Sequence, residues 1–346
     1  MMIWQAAKST LFREGFRGHS CLLLRLASLS GCFLICIMMA CRPTNSEVQS
    51  TAPLSEVSLP YQNAEPRDIQ WRDAGRQAVL LDDGSIVMLN LREVEVTIPP
   101  KGENEVADRF KVDHKHRIAL VASTDTLDAD YSGKQPRWHS IPKRALAFGF
   151  FRSSVVLIAK NHVYVYDLRG GENFPLKAYA TANIYSAAVG IEGNRVAELT
   201  EDGSRQILDI SSNMKIEQRC YVEGVPFTYH IAVSGGSVFM GVDEINEVRV
   251  LQISDKCHLS QILKLPGKGT LEEMSVAGGK IALSIRNVAM AEREERIEIW
   301  NASSRQVISV KNMCNDCGPM ALSPTGQWLA VIRGPSRVEN LLVEER

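Results

Sequence analysis

The stretch MALSPTGQWLA, from Met320 to Ala330, decides the fold. It reads as a short apolar strand, a tight turn at Pro324-Thr325-Gly326 and a second, very apolar strand. Proline and glycine in that order set the dihedrals of a reversing turn, which makes the segment a hairpin. The same turn position recurs upstream as Asp73-Ala74-Gly75, Glu192-Gly193-Asn194, Ser234-Gly235-Gly236 and Ala277-Gly278-Gly279. Glycine and asparagine suit it because hairpin turns demand positive φ.

Working outward, the strand after each turn can be followed along the chain. It begins at Ala78, Ile118, Val155, Val196, Val238, Ile281 and Leu329, at spacings of 40, 37, 41, 42, 43 and 48 residues. Each unit continues with a variable loop, an alternating strand, a polar turn and a weaker strand, and helical periodicity is nearly absent from Arg67 onward. A four-stranded unit repeating at about 40–45 residues is the signature of a propeller blade. Such a unit cannot bury both its faces alone, so the blades must pack side by side around an axis.

Three units also carry a family likeness. Glu298-Ile299-Trp300-Asn301 with Ser303-Ser304 and Gln306-Val307-Ile308 resembles the end of a WD40 repeat, as does Val163 to Leu168. Ser323-Pro324-Thr325-Gly326 resembles the Ser-Pro-Asp-Gly turn of WD40 and TolB-like repeats. The Gly-His dipeptide and the His–Asp pair of WD40 repeats do not accompany these segments, so the resemblance is to the architecture. The resulting expectation is an all-β, seven-bladed, WD40-like propeller over residues 67–346, with four antiparallel strands per blade. The last unit holds three strands after Pro319, and Ser55–Tyr61 is the candidate N-terminal strand that closes it, which would hide an open edge. The second unit is irregular beyond its first two strands.

The N-terminus sets an expected compartment. Leu26 to Ala40 carries no charge, follows a leader bearing Lys8, Arg13, Arg17 and Arg25, and stops at Ala40-Cys41 before a polar tract. A basic region, a short apolar region and a small residue describe a secretory signal rather than a span, which needs about 20 apolar residues. A cysteine directly after the small residue resembles the lipobox of bacterial lipoproteins. That resemblance implies a signal peptide over 1–40, lipidation at Cys41 and a tether over 41–66 in the cell envelope. Cys32, after Leu29-Ser30-Gly31, is the alternative lipid site, and an uncleaved anchor is a third reading.

The whole chain has a formal charge of −1, and the leader holds four bases and one acid. A near-neutral body argues against an electrostatic nucleic-acid binder. No GxSxG, HExxH, P-loop or dinucleotide turn is present, so no catalytic, cofactor-binding or metal residue is assigned. His114 and His116 read as a solvated turn. Asp125, Asp128 and Asp130 read as an acidic loop without the Gly-Asp repetition of calcium repeats.

In a four-stranded blade, the loop between strands two and three opens on the same face as the loop to the next blade. The longest such loops are Thr124–Arg137, Val242–Glu247 and Asn287–Glu295, so Asp125, Asp128, Asp130, Asp243, Glu244 and Arg293 mark the candidate binding face. An oxidising compartment permits disulfides. Cys314–Cys317 is the candidate pair, whereas Cys220 and Cys257 are placed on opposite faces and are expected not to bond. The functional expectation is a monomeric scaffold that binds other envelope proteins. A lactonase-like or lyase-like propeller enzyme with channel carboxylates, and a sensor or inhibitor of a secreted enzyme, are the alternatives.

Overall fold

In the computed structural model the described residues are 55–59, 64–99, 109–113, 118–122, 126–130, 137–141, 145–152, 154–167, 176–190, 193–244, 247–266, 269–286, 295–312 and 317–343. They fall within one compact unit, 48–346. The leader, Cys32, Cys41 and the histidines His114 and His116 lie outside the described residues.

Strand β1 (Ser55–Ser58) comes first and belongs to the last sheet. The first sheet is β2 (Pro66–Trp71), β3 (Arg76–Leu81), β4 (Ile86–Asn90) and β5 (Val94–Ile98). The second is β6 (Arg109–Asp113), β7 (Ile118–Ala122), β8 (Thr126–Asp130) and β9 (Arg137–Ile141). The third is β10 (Ala147–Phe151), β11 (Ser154–Ala159), β12 (His162–Asp167) and β13 (Lys177–Ala180). The fourth is β14 (Ile184–Val189), β15 (Arg195–Thr200), β16 (Arg205–Ile210) and β17 (Ile216–Val222). The fifth is β18 (His230–Ser234), β19 (Ser237–Glu244), β20 (Glu247–Ile253) and β21 (Leu259–Pro266). The sixth is β22 (Thr270–Ala277), β23 (Lys280–Arg286), β24 (Glu295–Asn301) and β25 (Val307–Asn312). The closing sheet holds β26 (Cys317–Leu322), β27 (Trp328–Arg333) and β28 (Arg337–Leu342), with β1 paired to β28 from Ser55 opposite Asn340 to Ser58 opposite Arg337. All the pairings are antiparallel, every sheet is a meander apart from the added β1, and no helix occurs among the described residues.

The blade count needs a correction. Six four-stranded sheets are shown as packed blades, with described side chains on their strands. The β6–β9 sheet is shown by strand pairing, and side chains are described there only at Phe110, Lys111 and Val112. Six blades of four strands with cores described along their strands are counted, where seven were expected.

The cores lie between neighbouring sheets. Ile69, Val79 and Leu81 of the first sheet pack with Val57, Ala330 and Val338 of the closing sheet. Ala197, Leu199 and Ile207 of the fourth meet Val238, Met240 and Leu251 of the fifth. This explains the second strands. Because both their faces meet a core, β11 is buried at every position and β3 at all but its first. At about 25 cal/mol per Å² of apolar surface removed from water, these strands supply most of the driving force. The first strands approach one another from sheet to sheet and line the axis. Turns between first and second strands also abut the next blade. A Cβ on Gly278, whose φ is +55°, would lie 2.2 Å from the Thr325 carbonyl oxygen, so only glycine fits there.

Within the acidic loop expected over Thr124–Arg137, Thr126–Asp130 is strand. Asp128 and Asp130 belong to β8, paired with β7 and with His139 and Arg137 of β9, while Asp125 lies outside the described residues. The alternation Thr126 to Asp130 is a strand pattern that the crowding of aspartates concealed.

Candidate protein-binding face

The loops joining each fourth strand to the next first strand share one face with the hairpins between second and third strands. Backbone hydrogen bonds tie them together, with Ile184 N–H donating to the Lys160 carbonyl at 2.6 Å, Glu201 N–H to Asn183 at 2.9 Å and Val225 N–H to Gly203 at 3.2 Å. Asp243 and Glu244 lie on this face, both exposed, at the end of β19 rather than in a loop. Arg293 is outside the described residues.

The two most exposed large hydrophobic residues among the described ones, Tyr229 and Phe227, lie here beside Tyr185. Phe227 and Tyr229 are 55% and 72% exposed, and Tyr185 is 37% exposed. The Tyr185 ring centre lies 5.1 Å from Phe227, nearly edge-on at 73°, and 5.1 Å from Tyr229 at 34°. The Tyr185 and Tyr229 hydroxyls are hydrogen-bonded to each other. Tyr185 protrudes because it is the extra residue in the register between β14 and β15, and a bulge re-aims its side chain. The loop bearing Phe227 and Tyr229 is pinned from below. Val225 is buried in the core between the fourth and fifth blades. Ser186 Oγ donates to the Thr228 carbonyl at 2.8 Å, Thr228 Oγ1 donates to the Gly241 carbonyl, and His230 N–H donates to Thr228 Oγ1 at 3.0 Å. The platform is thus ordered before any partner arrives, which lowers the entropy lost on binding.

Sequence reasoning missed this cluster. Its one signal was Val225-Pro226-Phe227-Thr228-Tyr229, two aromatic rings in a proline-bearing loop where a turn has no core to fill.

Charged groups share this face. Burial lowers the pKa of His230, and Asp243 and Glu272 oppose that shift. Asp243 is pushed up by burial against an opposing Leu271 backbone hydrogen bond and His230. Asp202 accepts from the hydroxyls of Thr200 and Ser204 and from the Ser204 N–H, which hold its carboxyl down to about 2. Glu244 pairs with Arg249, and Glu272 pairs with Arg286 at 2.8 Å.

A second group lies on the first strands. Burial raises Glu273 to about 8, and the like charge of Asp68 adds to the shift, although Met320 N–H donates to Glu273 Oε2 at 2.9 Å. Burial lowers the pKa of Lys111, against the attraction of Asp68. Deeper in the fourth blade, Glu198 is raised to about 8 and Arg205 lowered to about 9, each by burial. Neither carboxylate oxygen of Glu198 has a hydrogen-bond partner among the described residues. No group of three or more His, Cys, Asp or Glu among the described residues is placed to hold a metal ion.

The cysteine expectation is overturned. Cys220 and Cys257 form a disulfide with Cα atoms 5.5 Å apart. Cys220 sits inside β17 rather than in the loop after it. A register shift leaves Arg219 as an extra residue opposite Ile207 and Leu208, and Cys220 turns into the core between the fourth and fifth blades. Cys257, at φ +64° in the turn before β21, packs against the same core. Arg219 reinforces the link by donating to the Asp255 carbonyl at 3.1 and 2.8 Å and to Asp209 at 2.9 Å. The Cys314–Cys317 pair cannot be read in the same way, because Cys314 and the Cys317 side chain lie outside the described residues.

Comparison with solved structures agrees with the architecture. The β-propeller domain of Cps50 (Swd1) from Myceliophteria thermophila superposes with a TM-score of 0.62 at 12% identity, over 85% of this chain and all of that one. A chain of a Mitotic Checkpoint Complex gives 0.60 at 13% identity, over 92% of this chain and all of that one. The fold is a WD40-like β-propeller. At those identities the likeness concerns the fold alone. No family model matches the chain, and no curated protein does.

Proposed function

We propose that this chain is a protein-binding scaffold that captures its partner on the face bearing Tyr185, Phe227 and Tyr229. The observation that carries the reading is an exposed aromatic cluster held by a pinned loop. Tyr and Phe are the residues that anchor interfaces, since they bury much area at little entropic cost. A propeller is a rigid frame for such loops, and fold alone would not assign the role.

The reading extends to location. The basic leader, the apolar run to Ala40 and the polar tract after Cys41 support a lipid anchor at Cys41 in a bacterial envelope. A polar tether of about 25 residues spans roughly 25–30 Å and would let the domain search for partners near a membrane.

Mild crosslinking of intact cells followed by co-purification tests the proposal. The wild-type chain should retain a defined partner set that a Phe227→Ala/Tyr229→Ala variant of equal abundance loses. An unchanged set would refute the assigned face. A second reading, a propeller enzyme, is favoured by Asp68, Lys111 and Glu273 on the first strands, two of which have shifted pKa values.

A further inference from the structure

We propose that the segment this face captures is cationic, with an Arg or Lys side chain seated against the rings of Tyr185, Phe227 and Tyr229. The inference rests on the protein-binding reading above and names the chemistry of its partner. Two rings flank Tyr185 with their centres 5.1 Å away, one nearly perpendicular and one tilted. Ring faces carry the negative part of the aromatic quadrupole and attract an Arg or Lys head group within about 6 Å. One bond joins the Tyr185 and Tyr229 hydroxyls, Tyr185 donating and Tyr229 accepting, and holds the two rings together.

The charge around the rings points the same way. Glu223 begins the loop that bears the aromatic residues, and Asp202 lies in the neighbouring hairpin that this loop contacts through Val225 and Gly203. Both acids are exposed, and neither has a cationic partner among the described residues. The Thr200 and Ser204 hydroxyls keep Asp202 ionised at any ordinary pH. Asp243 is exposed at the end of β19, beyond His230. Lys160, in the neighbouring hairpin between β11 and β12, faces Glu201 at 3.9 Å. An aromatic patch inside an acidic rim repels anionic partners and steers basic ones. The same rim disfavours docking of the rings into an anionic membrane, whose surface potential is also negative.

The test uses the full chain in detergent and short fluorescein-labelled peptides that alternate serine with arginine, lysine, glutamate or glutamine. Fluorescence anisotropy should show binding of the arginine and lysine peptides over the other two, weakening as salt is raised. Phe227→Ala and Tyr229→Ala should each weaken the arginine peptide about 3- to 30-fold. Tyr229→Phe keeps the ring and should leave the affinity within about twofold. Asp202→Asn/Glu223→Gln should weaken the basic peptides and reduce their salt dependence.

Equal affinity for the glutamate peptide, no binding of the basic peptides, or affinity unmoved by both alanine variants would overturn the proposal. So would aromatic-dependent binding of the delipidated domain to phosphatidylglycerol vesicles in place of peptide. If cellular crosslinking still captures partners through this face while the peptides show no charge preference, the scaffold reading stands and the cationic chemistry fails. Loss of both fails the face itself.

Discussion

Replacing Cys220 and Cys257 together with alanine tests the blade register where sequence reasoning failed. The bond closes a loop with a sequence separation of 37 residues. The chain-entropy relation gives roughly 4 kcal/mol for a loop of that length. Truncating Cys220, which is buried in the core between the fourth and fifth blades, adds a packing loss of about 1 kcal/mol. The Arg219 hydrogen bonds to Asp255 and its ion pair with Asp209 remain, so the blades should stay in place while the ring loosens. At about 2 °C per kcal/mol for a large domain, the melting temperature should fall by roughly 10 °C. Calorimetry of wild type and double variant without reductant measures the shift, and wild type with reductant should move toward the variant. Alkylation of both cysteines in wild-type protein unfolded without reductant would refute the reasoning, as would a melting temperature unchanged by the substitutions.

Three further outcomes follow from the same structure. Deleting Ser55–Leu59 removes the partner of β28 and exposes the pocket of Val57 and Leu59, which are 3% and 6% exposed. The apolar term alone is about 3–6 kcal/mol, and light scattering on mild heating should show aggregation through the opened edge. Glu273 is raised from 4.5 to about 8, so the native state keeps a proton that the unfolded chain loses first. Its contribution is therefore fully present below about pH 4.5 and is lost as pH rises through about 8. Glu273→Gln, which can still accept from Met320 N–H, should flatten the fall of melting temperature between pH 5 and 9, leaving the smaller slope due to Glu198. Cys41→Ser should move the protein from the membrane fraction to the soluble one and abolish palmitate labelling, whereas retained labelling would transfer the site to Cys32.

How much of this was legible follows from what each residue answers to. The tracked second strands, from Ala78 to Leu329, are β3, β7, β11, β15, β19, β23 and β27. β3, β11, β19 and β27 were visible because a strand buried on both faces must be largely apolar. The glycines at Gly235, Gly278 and Gly326 were visible because their φ values of 55–69° exclude most other residues. The Cys220–Cys257 bond was not visible. It depends on a one-residue shift at Arg219, and a single extra residue reverses the facing of everything after it in the strand. Asp128 and Asp130 misled because composition suggested a loop where pairing with β7 and β9 decides for a strand. The aromatic face depends on a similar bulge at Tyr185 and on two segments 42 residues apart meeting through Ser186 and Thr228. No local pattern encodes that meeting.

The face of Tyr185, Phe227 and Tyr229 is proposed as the place where another protein docks. Site-specific photocrosslinking in living cells tests it most directly, with the reactive side chain placed at Tyr229 and, for comparison, at Asn213 and Ser304 in turns on the opposite face. Discrete crosslinked species are expected from position 229 and not from positions 213 and 304. Crosslinks of equal yield from both faces, or from position 213 or 304 alone, would contradict the proposal.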